Sequence, residues 1–101
     1  MARRASDVIG KPVVSADTGR KLGTVGDLLF DETGMELVGL VVKHGALRGE
    51  DVLPAASVHS LGADAVVSRT DELIDSREWR DRETLRRRAE VDDPIPPARD
   101  R

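Results

Sequence analysis

General acid–base chemistry near neutral pH falls most readily to imidazole, and this 101-residue sequence holds two, His44 and His59. His44 stands at the end of an apolar run and His59 within a short strand-like one. No nucleophile and base are visibly paired around either. Two histidines in a chain without Cys make a poor zinc site. Asp17, Asp27, Asp31 and Glu32 offer oxygen ligands to a hard cation, but their spacing departs from an EF-hand loop, and Asp31 has a structural use in a turn. The glycines of Gly19-Arg20-Lys21-Leu22-Gly23-Thr24-Val25-Gly26 match neither the dinucleotide fingerprint nor the P-loop, and no helix follows whose N-terminus would hold phosphate. No residue is therefore assigned a catalytic, cofactor-binding or metal-binding role.

The one basic cluster is Arg80, Arg82, Arg86, Arg87 and Arg88, a chemistry suited to RNA phosphates or an acidic partner. Glu78, Asp81, Glu83 and Glu90 are interleaved with it, as on a solvated helix face, and only Trp79 is at hand for stacking on a base. Trp79 is better suited to anchor a protein contact, on its own domain or on a neighbour.

The elements that must position these residues are organised around residues 21–43. Two aliphatic, β-branched arms flank Asp31-Glu32-Thr33-Gly34, where Asp can accept a backbone hydrogen bond and Gly tolerates positive φ. This predicts a β-hairpin with strands over 22–30 and 37–42. Both arms are apolar on both faces: Val25 and Leu29 oppose Leu28 and Phe30, while Val38, Leu40 and Val42 oppose Leu37 and Val41. The second face therefore needs a cover, either the C-terminal segment or another subunit.

Around the hairpin, residues 8–14 read as a strand interrupted at Pro12 with a bulge at Gly10, and Asp17-Thr18-Gly19 as a turn. A short strand at 51–53 ends at Pro54, residues 55–57 form one helical turn, and 58–61 with 65–68 form a second hairpin. About six short strands joined by Gly-rich turns predict a small antiparallel β-barrel. All nine glycines lie between Gly10 and Gly62, whereas residues 70–101 hold none and carry eight of the sixteen basic and ten of the nineteen acidic residues. The expected organisation is a disordered segment over 1–6, the barrel over 7–69, a charged helical extension over 70–91 and a Pro-rich tail over 92–101. In the extension, Ser76 is expected to cap a helix running to Glu90, with Ile74, Leu85 and Ala89 as a thin apolar stripe.

Net charge is −3 with 35% charged residues, which argues against general affinity for nucleic acid backbones. The longest apolar run, residues 37–42, is far below the roughly 20 residues that span a bilayer. Absence of Cys suits a reducing compartment, and Arg3-Arg4 is not followed by an apolar stretch, so a cytoplasmic location is expected.

The run Val8-Ile9-Gly10-Lys11-Pro12-Val13-Val14, then Gly19-Arg20-Lys21-Leu22-Gly23, Asp27-Leu28-Leu29-Phe30-Asp31 and Val38-Gly39-Leu40-Val41-Val42, resembles the PRC-barrel family. Asp51-Val52-Leu53-Pro54 and the segment from Val58 to Val67 continue the likeness, which covers roughly residues 6–69. It implies the small β-barrel shared by the photosynthetic reaction-centre H subunit and the C-terminal domain of the ribosome maturation factor RimM, with a binding role and no catalysis. Where the family often carries an aromatic and an acidic residue after Pro54, this chain has Ala55 and Ala56. Any surface built there is altered, and with neither the N-terminal domain of the ribosome factor nor the membrane helix of the H subunit in this sequence, neither specific role is expected to carry over.

Together these features predict a non-enzymatic adaptor that contacts another protein and forms a homodimer, with no cofactor. Its expected contact surface is Val25, Leu29, Val38, Leu40 and Val42 together with Trp79 and Leu85. The alternative is an RNA- or ribosome-associated factor using Arg80, Arg82, Arg86, Arg87 and Arg88.

Overall fold

The computed structural model of the chain describes residues 4–31, 33–44, 49–82, 87–88 and 95. The hairpin forms where the turn chemistry places it. Strand β2 (Lys21–Phe30) and strand β3 (Leu37–Lys43) are joined by a loop in which Asp31 N donates to Glu36 O at 3.0 Å and Gly34 N to Asp31 O at 2.9 Å. Gly34 adopts φ +75°, and Asp31 Oδ1 accepts from Thr33 Oγ1 at 2.7 Å and from Met35 N at 3.1 Å. These contacts hold the Asp31 carboxyl below its ordinary range, the Thr33 hydrogen bond first among them.

Around it are β1 (Pro12–Ser15), β4 (Glu50–Pro54), a 3₁₀ turn (Ala55–Ser57), β5 (Val58–Leu61), β6 (Val66–Ser68), and the two-residue strands β7 (Ile74–Asp75) and β8 (Arg87–Arg88). One curled sheet in the order β5-β6-β1-β2-β3-β4-β7 makes a half-barrel, consistent with the small barrel the sequence predicts. The six expected strands are all present, and β7 and β8 are additions. One pairing departs from the antiparallel expectation: β1 runs parallel to β6, with Val13 opposite Val66 and Ser15 opposite Ser68. Both serines are buried and tie down the turns that follow: Ser15 Oγ accepts from Asp17 N and Thr18 N, and Ser68 Oγ donates to Thr70 O at 2.7 Å.

The N-terminal expectation changes. Residues 4–6, expected to be disordered, lead into a short helix α1 (Ala5–Val8), with Arg4 N donating to Asp7 Oδ2 at 3.0 Å. Ala5 and Val8 are buried in the main core, so this turn is part of the packed domain. Val8 is thus helical, and the strand begins only at Pro12, because Gly10 turns the chain at φ +93°.

The C-terminal extension changes more. Helix α2 covers Ser76–Arg82, and its cap is Asp75, whose Oδ1 accepts from Arg77 N at 2.8 Å, so Ser76 lies inside the helix. The helix does not run on to Glu90: Arg87–Arg88 is extended and pairs with Phe30 and Leu29 of β2. The expected helix has too little apolar stripe to hold a third or fourth turn, whereas the far half of the β2 edge, beyond the reach of β1, offers backbone hydrogen bonds. Leu85, Arg86, Ala89 and Glu90 lie outside the described residues. In the tail expected over 92–101, Ile95 packs half-buried against the main core.

Burial on both faces of the hairpin follows from its sequence, but the faces are not divided by strict alternation. Val25, Leu28, Phe30, Leu37, Leu40 and Val42 join the main core with Val13, Leu53 and Val66. Leu29, Val38, Val41 and Val52 form a second cluster with Trp79. The pairing leaves Gly26 as an extra residue in β2, between Val25 and Asp27, and Val38 as an extra residue in β3, between Leu37 and Gly39, so the parity of each strand shifts once. Leu40 of the central strand is fully enclosed, at 0% exposure. Leu40→Ala should lower unfolding free energy by about 3 kcal/mol in urea titration with little change in slope, as an unrelaxed core cavity does.

Candidate functional site

Two surfaces of this fold stand out, one apolar and one polar. The apolar one is the second face of the β2–β3–β4 sheet. Gly39 leaves a gap in it: a β-carbon there would stand 3.0 Å from Val52 Cγ1 and 3.5 Å from Trp79 Cζ2. Trp79 fills this gap from α2 and is only 6% exposed, with Leu29, Val38, Val41 and Val52 around it and Ile74 of β7 at its margin. The sheet glycine and the helix tryptophan are complementary shapes.

This arrangement sorts the residues expected to form a contact face. Val25, Leu40 and Val42 are in the main core, inside the curl of the sheet, and in this arrangement no partner can touch them. Strict alternation puts them on the wrong face because of the extra residues at Gly26 of β2 and Val38 of β3. Leu29, Val38 and Trp79 do come together, but against each other within one chain, and Val41 and Val52, which alternation did not single out for this face, complete the cluster. Trp79 is therefore buried on its own barrel. Leu85 is outside the described residues. Of the arginines in the alternative reading, Arg87 and Arg88 form β8, which pairs with β2, Arg80 and Arg82 belong to α2, and Arg86 is outside the described residues.

The polar surface is an open cleft of about 620 Å³ at the Lys21 end of β2 and the Lys43 end of β3, lined also by Arg20, Leu22, Gly23, Thr24, His44, Asp51, Asp71 and Leu73. Its acidic groups are engaged with neighbours. His44 Nε2 lies 2.6 Å from Asp51 Oδ2, which orients the ring and accounts for a histidine that sequence reasoning left as structural or solvent-facing. Asp71 accepts from Thr18 Oγ1 at 3.0 and 3.2 Å and stands 3.8 Å from Arg20 Nη1. Its carboxyl is held below the ordinary range, by a hydrogen bond from the Ser15 side chain first, then Thr18 and the Arg20 charge, against an opposing desolvation. Among the described residues no three His, Asp or Glu side chains gather as a metal-ligand set. His59 is exposed on β5.

The same half-barrel and its glycine-punctuated strands account for what comparison with known families returns: the model of the PRC-barrel domain matches residues 1–74. The chain belongs to the PRC-barrel family. The match spans the strands β1 to β6 and reaches Ile74, where β7 begins, so α2 with Trp79 lies beyond it. No curated protein matches the chain. The PRC barrel is a non-catalytic fold family, and membership suggests a protein-interaction module in general terms. No helix among the described residues is long and apolar enough to cross a membrane.

The Asp71 tie has a pH consequence. Because its folded pKa is depressed, the stability it contributes is present above the unfolded carboxylate pKa of about 4 and is lost as pH falls through the lower folded value. Asp71→Asn should lower the thermal midpoint at neutral pH and flatten its decline on acidification below about pH 4, as followed by circular dichroism.

Proposed function

We propose that this PRC-barrel chain is a non-catalytic protein-interaction module of the cytoplasm that self-associates through the second face of its central sheet. The observation that carries this reading is the way that face is covered. Leu29, Val38, Val41 and Val52 are sealed by one aromatic side chain on the seven-residue helix α2. A helix that short is marginal on its own and is ordered chiefly by docking, so its seat on the sheet is open to exchange. The same helix from a second copy offers an identical plug to an identical socket. Such an exchange is a low-cost route to a twofold dimer, because it creates no contact that the single chain does not already make. A protein partner presenting an aromatic residue on a short helix meets the same socket, which is how a self-associating domain acts as an adaptor.

Aromatic plugs in desolvated sockets dominate interfaces of this kind. Because the plug is seated in the monomer and in the exchanged dimer alike, Trp79→Ala should lower the unfolding free energy of either by about 3 kcal/mol in urea titration, with the dimer dissociation constant in analytical ultracentrifugation nearly unchanged. Trp79→Phe, which keeps an aromatic in the socket, should recover most of that loss. A wild-type chain that stays monomeric at high concentration would overturn the reading.

A further inference from the structure

The polar cleft is remote in character from the Trp79 socket, and its chemistry points to a different ligand. Arg20 and Lys21 reach it from the start of β2, and Lys43 from the end of β3. Strand pairing sets Lys43 opposite Thr24, so two segments more than twenty residues apart in the chain deliver their cations to one opening. The Lys43 stem lies across Gly26, where a β-carbon would stand 2.7 to 2.9 Å from its methylenes. The missing side chain at Gly26 leaves room for the lysine stem to lie flat against β2.

The carboxylates of the cleft are already engaged. Asp51 holds His44, and Asp71 holds Thr18 and Arg20. Among the described residues neither Lys21 nor Lys43 is paired with a carboxylate. Arg20 is 73% exposed at its side chain, so its guanidinium has donors left for a ligand. The cleft thus has three cations for two engaged carboxylates, on a chain whose net charge is −3. Its volume lies within the range of small-molecule sites and exceeds that of a single simple anion. Lysine supplies compact point charges suited to phosphate and carboxylate oxygens, and arginine adds a planar fork for bidentate contact.

We infer that this cleft binds a compact oxyanion carrying two or more negative charges, held by Arg20, Lys21 and Lys43, with His44 fixed by Asp51 at the rim. Phosphate and carboxylate groups share this chemistry. Anion binding in this cleft does not require self-association through the Trp79 face, so either can fail without the other.

The experiment is a titration of the full chain, uniformly ¹⁵N-labelled, with pyrophosphate and separately with citrate, against sodium chloride at matched ionic strength. Saturable amide shifts concentrated at residues 20–24, 43–44 and 71–73 are expected. Lys21→Gln and Lys43→Gln should each weaken binding about tenfold while leaving the rest of the spectrum in place, and Arg69→Gln, an exposed cation outside the cleft, should not. Response to pyrophosphate alone assigns the site to phosphate groups, and response to both anions assigns it to small polyanions generally. Shifts that never saturate, that sodium chloride reproduces, or that survive both lysine substitutions would overturn the proposal.

Discussion

From Leu37 to Val42 every residue of β3 is buried, and that single fact governs the rest of the fold. A strand apolar on both faces gains from burial only if both are removed from water, and one curled sheet of this size can enclose only one of them. The inner face is packed with Val13, Leu53 and Val66 from other strands and with Ala5 and Val8 of α1. The outer face is left to whatever follows the barrel, and there the chain supplies Ile74 and Trp79. The N-terminal turn and the C-terminal helix are thus two answers to the same requirement, although they flank the barrel at opposite ends of the sequence.

Much of this was legible from local chemistry. Asp31 and Gly34 specified the hairpin because a carboxylate acceptor and a residue at home in positive φ are what its loop uses. Two-sided hydrophobicity in β2 and β3 also announced that a second cover was needed. What alternation could not supply was which residues share a face. Period-two reasoning places Val38, Leu40 and Val42 together, whereas the structure separates Val38 from the other two and puts Val41 beside it. A bulge costs one residue of register and leaves little trace in a sequence where both faces are aliphatic, since any parity is compatible with burial.

The extension was less legible for a different reason. Ser76 and Asp75 are both good caps, and only the pairing of Ile74–Asp75 with β4 decides that Asp75 holds the last non-helical position. Helical propensity and i,i+4 charge pairs favour a long helix through the arginines, each pair contributing a few tenths of a kcal/mol. Those small terms yield to backbone pairing of Arg87–Arg88 at the part of the β2 edge that β1 leaves uncovered. The cleft was hidden for a related reason: Thr18 and Asp71, which meet within hydrogen-bonding distance, stand 53 residues apart. Individually, Lys21, Lys43 and His44 look like ordinary strand-end residues.

The two surfaces meet in one stretch of chain. Asp71, fastened to Thr18 and Arg20 on the β1–β2 turn, opens a segment in which Leu73 packs against the main core and also lines the cleft. The next residue, Ile74, pairs with Val52 and borders the Trp79 cluster, and Asp75 then caps α2. Within five residues the chain passes from the cation-lined opening to the sealed apolar face. A short helix has few contacts of its own to fix where its aromatic lands, so the accuracy of the Trp79 plug depends on how firmly the strand before it is anchored. Here that anchoring combines two backbone-paired residues of β7 with the side-chain ties of a carboxylate that also belongs to the cleft. In this small domain the polar cleft and the apolar seal are therefore held by a common strap, and the polar contacts at its beginning help determine how well the apolar face at its end is closed.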